Sequence, residues 1–338
     1  MKLCLSILNA LALCLTPTFA LALTSERSRI KALPLQELSP LSPGPRIGHA
    51  MAYDARRKRT VLFGGFGSDG VPLNDTWEWD GRRWRKVAVG GPSPRKWPAM
   101  AYDSQQARMI LFGGREGVGR SGPSLNDTWM WDGKIWRKLP HSGPSGRDHH
   151  TLVYDSGRRK VVLFGGWDGR SVVGDTWEFD GKGWKETAAK GPDARAAHAT
   201  TYDGKQGKVV LFGGRALDKF FEDTWTWNGT EWEKQDSYGP VKRAFHGMIY
   251  DGVRQRVLLF GGRFGGELFD DTWVWDGKGW ERLSAPGPSK RLVYSMSYDW
   301  GRRQVVFFGG GHQDQGSDRW YLNDETWIWN GAKWLKAT

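Results

Sequence analysis

The chain is nearly free of cysteine: its two, Cys4 and Cys14, both fall in the first 14 residues. Everything after them lacks disulfide, thiolate-nucleophile and cysteine–metal chemistry, even in an oxidising compartment. A long apolar run is also missing. The best candidate, MKLCLSILNALALCLTPTFALA (1–22), is interrupted by Asn9 and Pro17 and is too short to span a bilayer comfortably. With one early lysine and Ala20 and Ala22 in an A-x-A arrangement, it reads as a secretory signal cleaved after Ala22. Leu13 weakens a lipid-anchoring role for Cys14. Helical periodicity is absent throughout, so the chain reads as all-β. No composition break divides the remainder into separate domains; only residues 23–43, with Pro34, Pro40 and Pro43, have the look of a tether.

Tryptophan, by contrast, is abundant, with 21 residues. Seventeen of them recur at fixed offsets in NDTWEWDGRRW (74–84), NDTWMWDGKIW (126–136), GDTWEFDGKGW (174–184), EDTWTWNGTEW (222–232), DDTWVWDGKGW (270–280) and DETWIWNGAKW (324–334). Before each stands a second signature, VLFGG (61–65) in the first copy and VFFGG (306–310) in the last, with GG pairs 49, 52, 48, 48 and 48 residues apart. A third places an arginine eight residues before an aspartate, as in RIGHAMAYD (46–54). Six copies of one unit of about 48 residues define a repeat architecture.

Each unit reads as four short strands: GHAMAY-type, RTVLF-type, TWEW and RWRKV. The last two meet at a tight Asp-Gly or Asn-Gly hairpin. Trp77 and Trp79 project from one strand face, and Trp84 joins them across the hairpin, giving every sheet an aromatic patch for packing on the next. The 17 repeated tryptophans are therefore read as structural.

PxxRxxH, FGG, a variable loop and TWxWDGxxW together resemble the kelch repeat, particularly bacterial kelch proteins similar to the central domain of galactose oxidase. The resemblance covers residues 44–338 and implies a six-bladed β-propeller of four-stranded antiparallel blades. Ring closure stays open: LQELSPLSPGPR (35–46) has the spacing of a fourth strand, and KWLKA (333–337) competes for the same place.

Strand parity divides the loops between two faces. Tight turns hold Arg56, Arg57, Lys58 and Arg59, Arg158, Arg159 and Lys160, and Arg302 and Arg303; they form a solvated basic surface or a patch for anionic glycans or lipid headgroups. Nucleic acid is disfavoured by the export signal. The opposite face carries long, dissimilar loops, the usual seat of function on a rigid scaffold. Residues that the repeat does not require collect there: Trp97, Trp167 and Trp320, His141, His149 and His312, and Phe220, Phe221, Phe264, Phe269 and Tyr321. Trp300 alone falls in a tight turn.

Arg46, Arg95, Arg147, Arg195, Arg243 and Arg291 begin the first strands and are expected to ring the channel mouth. They either hold a carboxylate or sulfate, as the kelch resemblance implies, or pair with Asp75, Asp127, Asp175, Asp223, Asp271 and Glu325, one acid per blade. His49, His150, His198 and His246 repeat three positions later and read as packed residues. No cofactor is called for, and His312 with Asp314 is only a loose metal pair.

The expected function is an exported, periplasmic or extracellular, non-catalytic propeller that binds a glycan, an acidic small molecule or a protein. The alternative is a carbohydrate-active enzyme resembling the sialic-acid mutarotases, with Glu116, Asp168, Asp218, Glu222, Glu267, Asp314 and Asp318 as loop acids. Galactose oxidase chemistry needs a cysteine-linked tyrosine, which the chain after the leader lacks. TWxWDG also differs from the S-x-D-x-G-x-T-W box of sialidases.

Overall fold

A computed structural model describes residues 42–88, 90–119, 121–140, 142–187, 190–313 and 320–337. The expected leader (1–22), the tether up to residue 41 and the strand candidate at 35–39 lie outside the described residues, as do His141, Asp314 and Asp318. The described residues contain strands and turns and no helix.

Alternating apolar positions and Gly-containing turns give six four-stranded sheets, spanning residues 50–88, 99–139, 151–187, 199–235, 247–283 and 295–336. Each is a sequential antiparallel meander. In the first blade Ala50 faces Phe63, Phe63 faces Thr76, and Trp79 faces Trp84 across the hairpin. The first strands of neighbouring blades lie against one another all the way round, the first blade touching both the second and the sixth. This is the six-bladed propeller expected from the repeats.

The hydrophobic core is six separate layers, each lying between two blades. One joins Val61 and Phe63 of blade 1 to Met109, Leu111, Trp131 and Trp136 of blade 2. Another joins Leu62, Trp77, Trp79 and Trp84 of blade 1 to Val306 and Phe308 of blade 6, and so closes the ring. The last tryptophan of each repeated motif acts as the bolt. Trp136 meets Phe63 of the preceding blade edge-on at 5.1 Å, and its indole N–H donates to Thr76 at 2.9 Å. Trp84 does the same to Phe308 and Thr326 of blade 6. Trp334–Lys336 forms the outer strand of blade 6, so KWLKA occupies the contested place.

The GG pair is required by close approach. At Gly65 (φ +87°) a Cβ would lie 2.6 Å from the carbonyl oxygen of Ile47, so only glycine lets the chain pass the start of its own first strand.

Candidate functional site

The six repeated arginines build the frame around the site. The backbone of Arg95 bonds blade 1, through Leu73 O and Gly65 N, while its side chain bonds blade 2. There Nη1 donates to Gly113 O at 3.0 Å and Asp127 Oδ1 at 2.6 Å, and Nη2 donates to Asp127 Oδ2 at 3.0 Å. Arg46, Arg147, Arg195, Arg243 and Arg291 repeat this pairing with Asp75, Asp175, Asp223, Asp271 and Glu325, at 2.6–2.7 Å. All six arginine side chains are at most 3% exposed. Of the two roles open to these arginines, the structure displays the ion pair, formed with the acid of the arginine's own repeat, while its backbone ties that repeat to the preceding blade. Their guanidinium groups are engaged by protein acceptors, apart from Arg46 Nε, which is buried without a partner.

Each paired carboxylate also accepts the first indole N–H of its TWxW, as Asp75 does from Trp77 at 2.7 Å. Burial raises the Asp75 pKa, but the hydrogen bond and charge of Arg46, with the indole, outweigh it and hold the group below the usual range. Glu325 is lowered to about 2: burial again opposes, and Lys336, Trp327 and Arg291 prevail. The repeated histidines are buried as expected from their repetition. His150 meets Phe112 edge-on at 5.5 Å, and burial followed by the charge of Arg147 lowers its pKa to about 3.

Two residues after each arginine the backbone turns left-handed, at Gly48, Trp97, His149, Ala197, Phe245 and Val293, with φ between 54° and 65°. These residues are tied into a belt across blades. Trp97 N donates to Gly48 O, Gly48 N to Val293 O, Val293 N to Phe245 O, Phe245 N to Ala197 O and Ala197 N to His149 O. Five of the six carry a side chain in a conformation that costs it about 1 kcal/mol or more, which a rigid frame can impose. Large and small side chains complement one another around the belt. Trp97 lies across Gly48, where a Cβ would be 2.7 Å from its ring. It packs on Phe66 at 5.5 Å and on His149 at 4.2 Å, and His149 meets Phe245 at 5.6 Å. Together these rings form an aromatic floor at the channel mouth.

His149 is held by chemistry that its sequence position did not announce. Its Nδ1 lies 2.5 Å from Asp148 Oδ1, and the other Asp148 oxygen accepts from Arg115 Nε at 2.6 Å and Ser124 Oγ at 3.2 Å. Burial raises the Asp148 pKa, but His149 and then Arg115 bring it below the ordinary value. Lys96, buried, sets its ammonium 5.0 Å from the Trp97 ring and donates to Gly119 O.

Above the belt stands a second ring, formed by the residue after each FGG. Phe66, Arg115, Trp167, Arg215, Arg263 and Gly311 bridge Ile47, Lys96, Asp148, Ala196, Ala244 and Leu292. Arg215 and Arg263 come from adjacent blades. Among the described residues neither has a carboxylate within ion-pair distance. Arg215 Nη2 donates to Leu217 O, and its guanidinium lies 5.6 Å from the Phe220 ring. Arg263 lies 6.0 Å from Phe245, and its Nε is buried without a partner. Burial, then the charge of Arg215, lowers the Arg263 pKa. Phe220 touches Phe264 at 5.4 Å, and Lys242 Nζ lies 4.7 Å over Phe264.

The off-repeat residues thus divide. Trp97, His149, Phe220 and Phe264 join this arc. Trp167 is on the same rim, bonded to Asp148 beside Arg147. Trp320, His312 and Tyr321 stand on the paired strands Gly311–Gln313 and Trp320–Leu322 of blade 6, with His312 and Tyr321 stacked at 5.1 Å. Phe221 and Phe269 belong to the frame, lying 3.7 Å and 4.2 Å from the paired Arg195 and Arg243. Sequence reasoning missed Arg115, Arg215, Arg263 and Phe245. The signal was present: the positions after FGG and after the frame arginine change identity from copy to copy while their neighbours repeat. Among the described residues no group of three or more His, Cys, Asp or Glu is placed to hold a metal ion.

A family profile described as the KLHDC2/KLHL20/DRC7 Kelch-repeats domain matches residues 22–185, 78–225 and 182–336. With six four-stranded blades joined by repeated arginine pairs and indole bolts, that match establishes that the chain belongs to the kelch-repeat family.

Proposed function

We propose that this propeller is a non-catalytic binding module whose long-loop face takes an acidic group of its partner between Arg215 and Arg263, above the Trp97–His149–Phe245 floor. A kelch propeller is consistent with a binding or scaffold role, and kelch propellers generally bind proteins. An acidic protein segment is therefore the first partner to test, with an acidic glycan or small acid next. The observation that carries the reading is the arginine pair itself. Two like charges held side by side on neighbouring blades repel, and an incoming carboxylate or sulfate relieves that repulsion while satisfying the orphaned Arg263 Nε. The expected leader at 1–22 puts this activity in the periplasm or outside the cell.

The test is a screen of the purified chain against acidic peptides, glycans and small acids, repeated with Arg215→Gln/Arg263→Gln. Loss of about 100-fold in affinity with unchanged melting temperature supports the site; unchanged affinity sinks it. A second reading, proton transfer on a bound sugar acid, is favoured by one observation, the Asp148–His149 pair beside the arginines. Accelerated anomerisation of a sugar acid, abolished by His149→Ala, would replace the binding-only reading.

A further inference from the structure

The opposite face offers a second surface, built where the two ends of the repeat array meet. Its turns are unequal in charge: blade 1 has Arg56–Arg59 and blade 6 has Arg302 and Arg303, whereas blade 2 has Gln105 and Gln106. The blade 1 hairpin adds Arg82 and Arg83. These segments are more than 200 residues apart in the chain, yet ring closure makes them neighbours. Gly301 N donates to the Tyr53 hydroxyl at 3.1 Å, and the Arg302 guanidinium donates to the Asp80 carbonyl.

Part of this charge belongs to the frame. Arg57 is bound by Asp54 and Glu78, and Arg302 by Asp299 at 2.9 Å. The rest faces water. Arg56, Lys58, Arg82 and Arg303 are exposed, and among the described residues none has a carboxylate within ion-pair distance. The acids beside the blade 6 and blade 1 turns, Asp54, Glu78, Asp80 and Asp299, are buried or half-buried, so the outward charge there is of one sign; Asp276, in the blade 5 hairpin, is exposed. Beside the cations an indole protrudes. Trp300 is 54% exposed and lies across Gly252 of blade 5, next to Val253, which is 49% exposed. An indole and an aliphatic side chain projecting from a rim of unpaired cations match the layered chemistry of a lipid headgroup region, with phosphates outside and acyl chains just beneath. A soluble polyanion would engage the cations alone.

We propose that the blade 5–6–1 sector of the tight-turn face docks on an anionic lipid bilayer surface, through Arg56, Lys58, Arg82 and Arg303 with Trp300 entering the headgroup layer. The long-loop face then points away from the bilayer, and this docking does not depend on what that face binds.

The full chain is tested by co-sedimentation with phosphatidylcholine vesicles, with and without about 30 mol% phosphatidylglycerol. Binding is expected only to the anionic vesicles, weakened about tenfold or more by Lys58→Glu/Arg303→Glu and several-fold by Trp300→Ser, and reduced by added salt. Arg159→Glu, an exposed cation of the equivalent turn in blade 3, is expected to leave binding near that of the parent chain. If Lys58→Glu/Arg303→Glu does not fold, Arg56→Glu/Arg82→Glu carries the same test. The proposal is overturned if the vesicles are ignored, if neutral and anionic vesicles bind alike, or if Arg159→Glu is as damaging as the sector variants. Capture of soluble polygalacturonate with no effect of Trp300→Ser would likewise overturn it, in favour of an acidic polysaccharide.

Discussion

Arg195 and Arg215 belong to the same blade and stand on the same side of the propeller, yet they are opposite in character. Arg195 is fully buried, bidentate on Asp223 and covered by Phe221. Arg215 is half-buried, lies against Phe220 and faces a second arginine. The difference is the acid. Each blade supplies one carboxylate just before its TW pair, and the frame arginine takes it. Arg215 and Arg263, introduced outside the repeat, find none among the described residues, and their charge stays open to a partner, whereas Arg115 at the equivalent position is taken by Asp148. In a repeat protein, recurrence marks what holds the units together, and departure from recurrence marks what a partner meets.

The largest expected effect falls on the frame and comes from acid. His49, His150 and His246 are lowered to about 3 and His198 well below its ordinary value. As pH falls below about 6.5 the unfolded chain takes up protons that the folded chain refuses, so stability drops between about 6.5 and 3. Each histidine adds a slope approaching about 1.4 kcal/mol per pH unit. The paired carboxylates add a later loss, as pH falls from about 4 toward the lowered folded-state values, about 2 for Glu325. Urea titrations at stepped pH measure both. His246→Tyr, which copies Tyr294 of blade 6, is expected to lower the upper slope by about one proton. An unchanged slope would mean that this histidine does not titrate on unfolding.

Next comes the ion pair itself. Arg195→Ala leaves Asp223 buried without its partner, and a loss of about 3–5 kcal/mol in chemical denaturation is expected. Arg195→Ala/Asp223→Ala is expected to be less damaging than the sum of the single variants, since the double change removes both charges. Exact additivity would break the contrast between frame and rim. Third, Arg215→Ala is expected to change stability by no more than about 0.5 kcal/mol while weakening partner affinity about tenfold or more. A large stability loss would move Arg215 into the frame. Smallest is Trp97→Ala, which opens the floor over Gly48; calorimetric affinity is expected to fall several-fold, because His149 loses its stacked neighbour.

How far the fold could be foreseen follows from the same contrast. The six tryptophan patterns and GG pairs specify strand order and blade number, because period-2 burial and positive-φ glycine are local properties. The arginine–acid pairing could be counted but not decided, since pairing and ligand binding call for the same residues. Phe221 and Phe269 looked like loop aromatics, yet each covers a frame guanidinium. Arg215 and Arg263 passed unnoticed because their importance lies in an absence, that of a nearby carboxylate, which only spatial neighbours reveal.

By itself the sequence determined the repeat unit, its strands and turns, and the fact that tryptophan bolts one unit to the next. Which residues share a surface was decided by closing the ring. Closure packs Trp84 against Phe308 and joins the basic turns of the first and last blades. Local patterning acts over a few residues, whereas these contacts join segments up to about 250 residues apart and exist only once all six blades have packed.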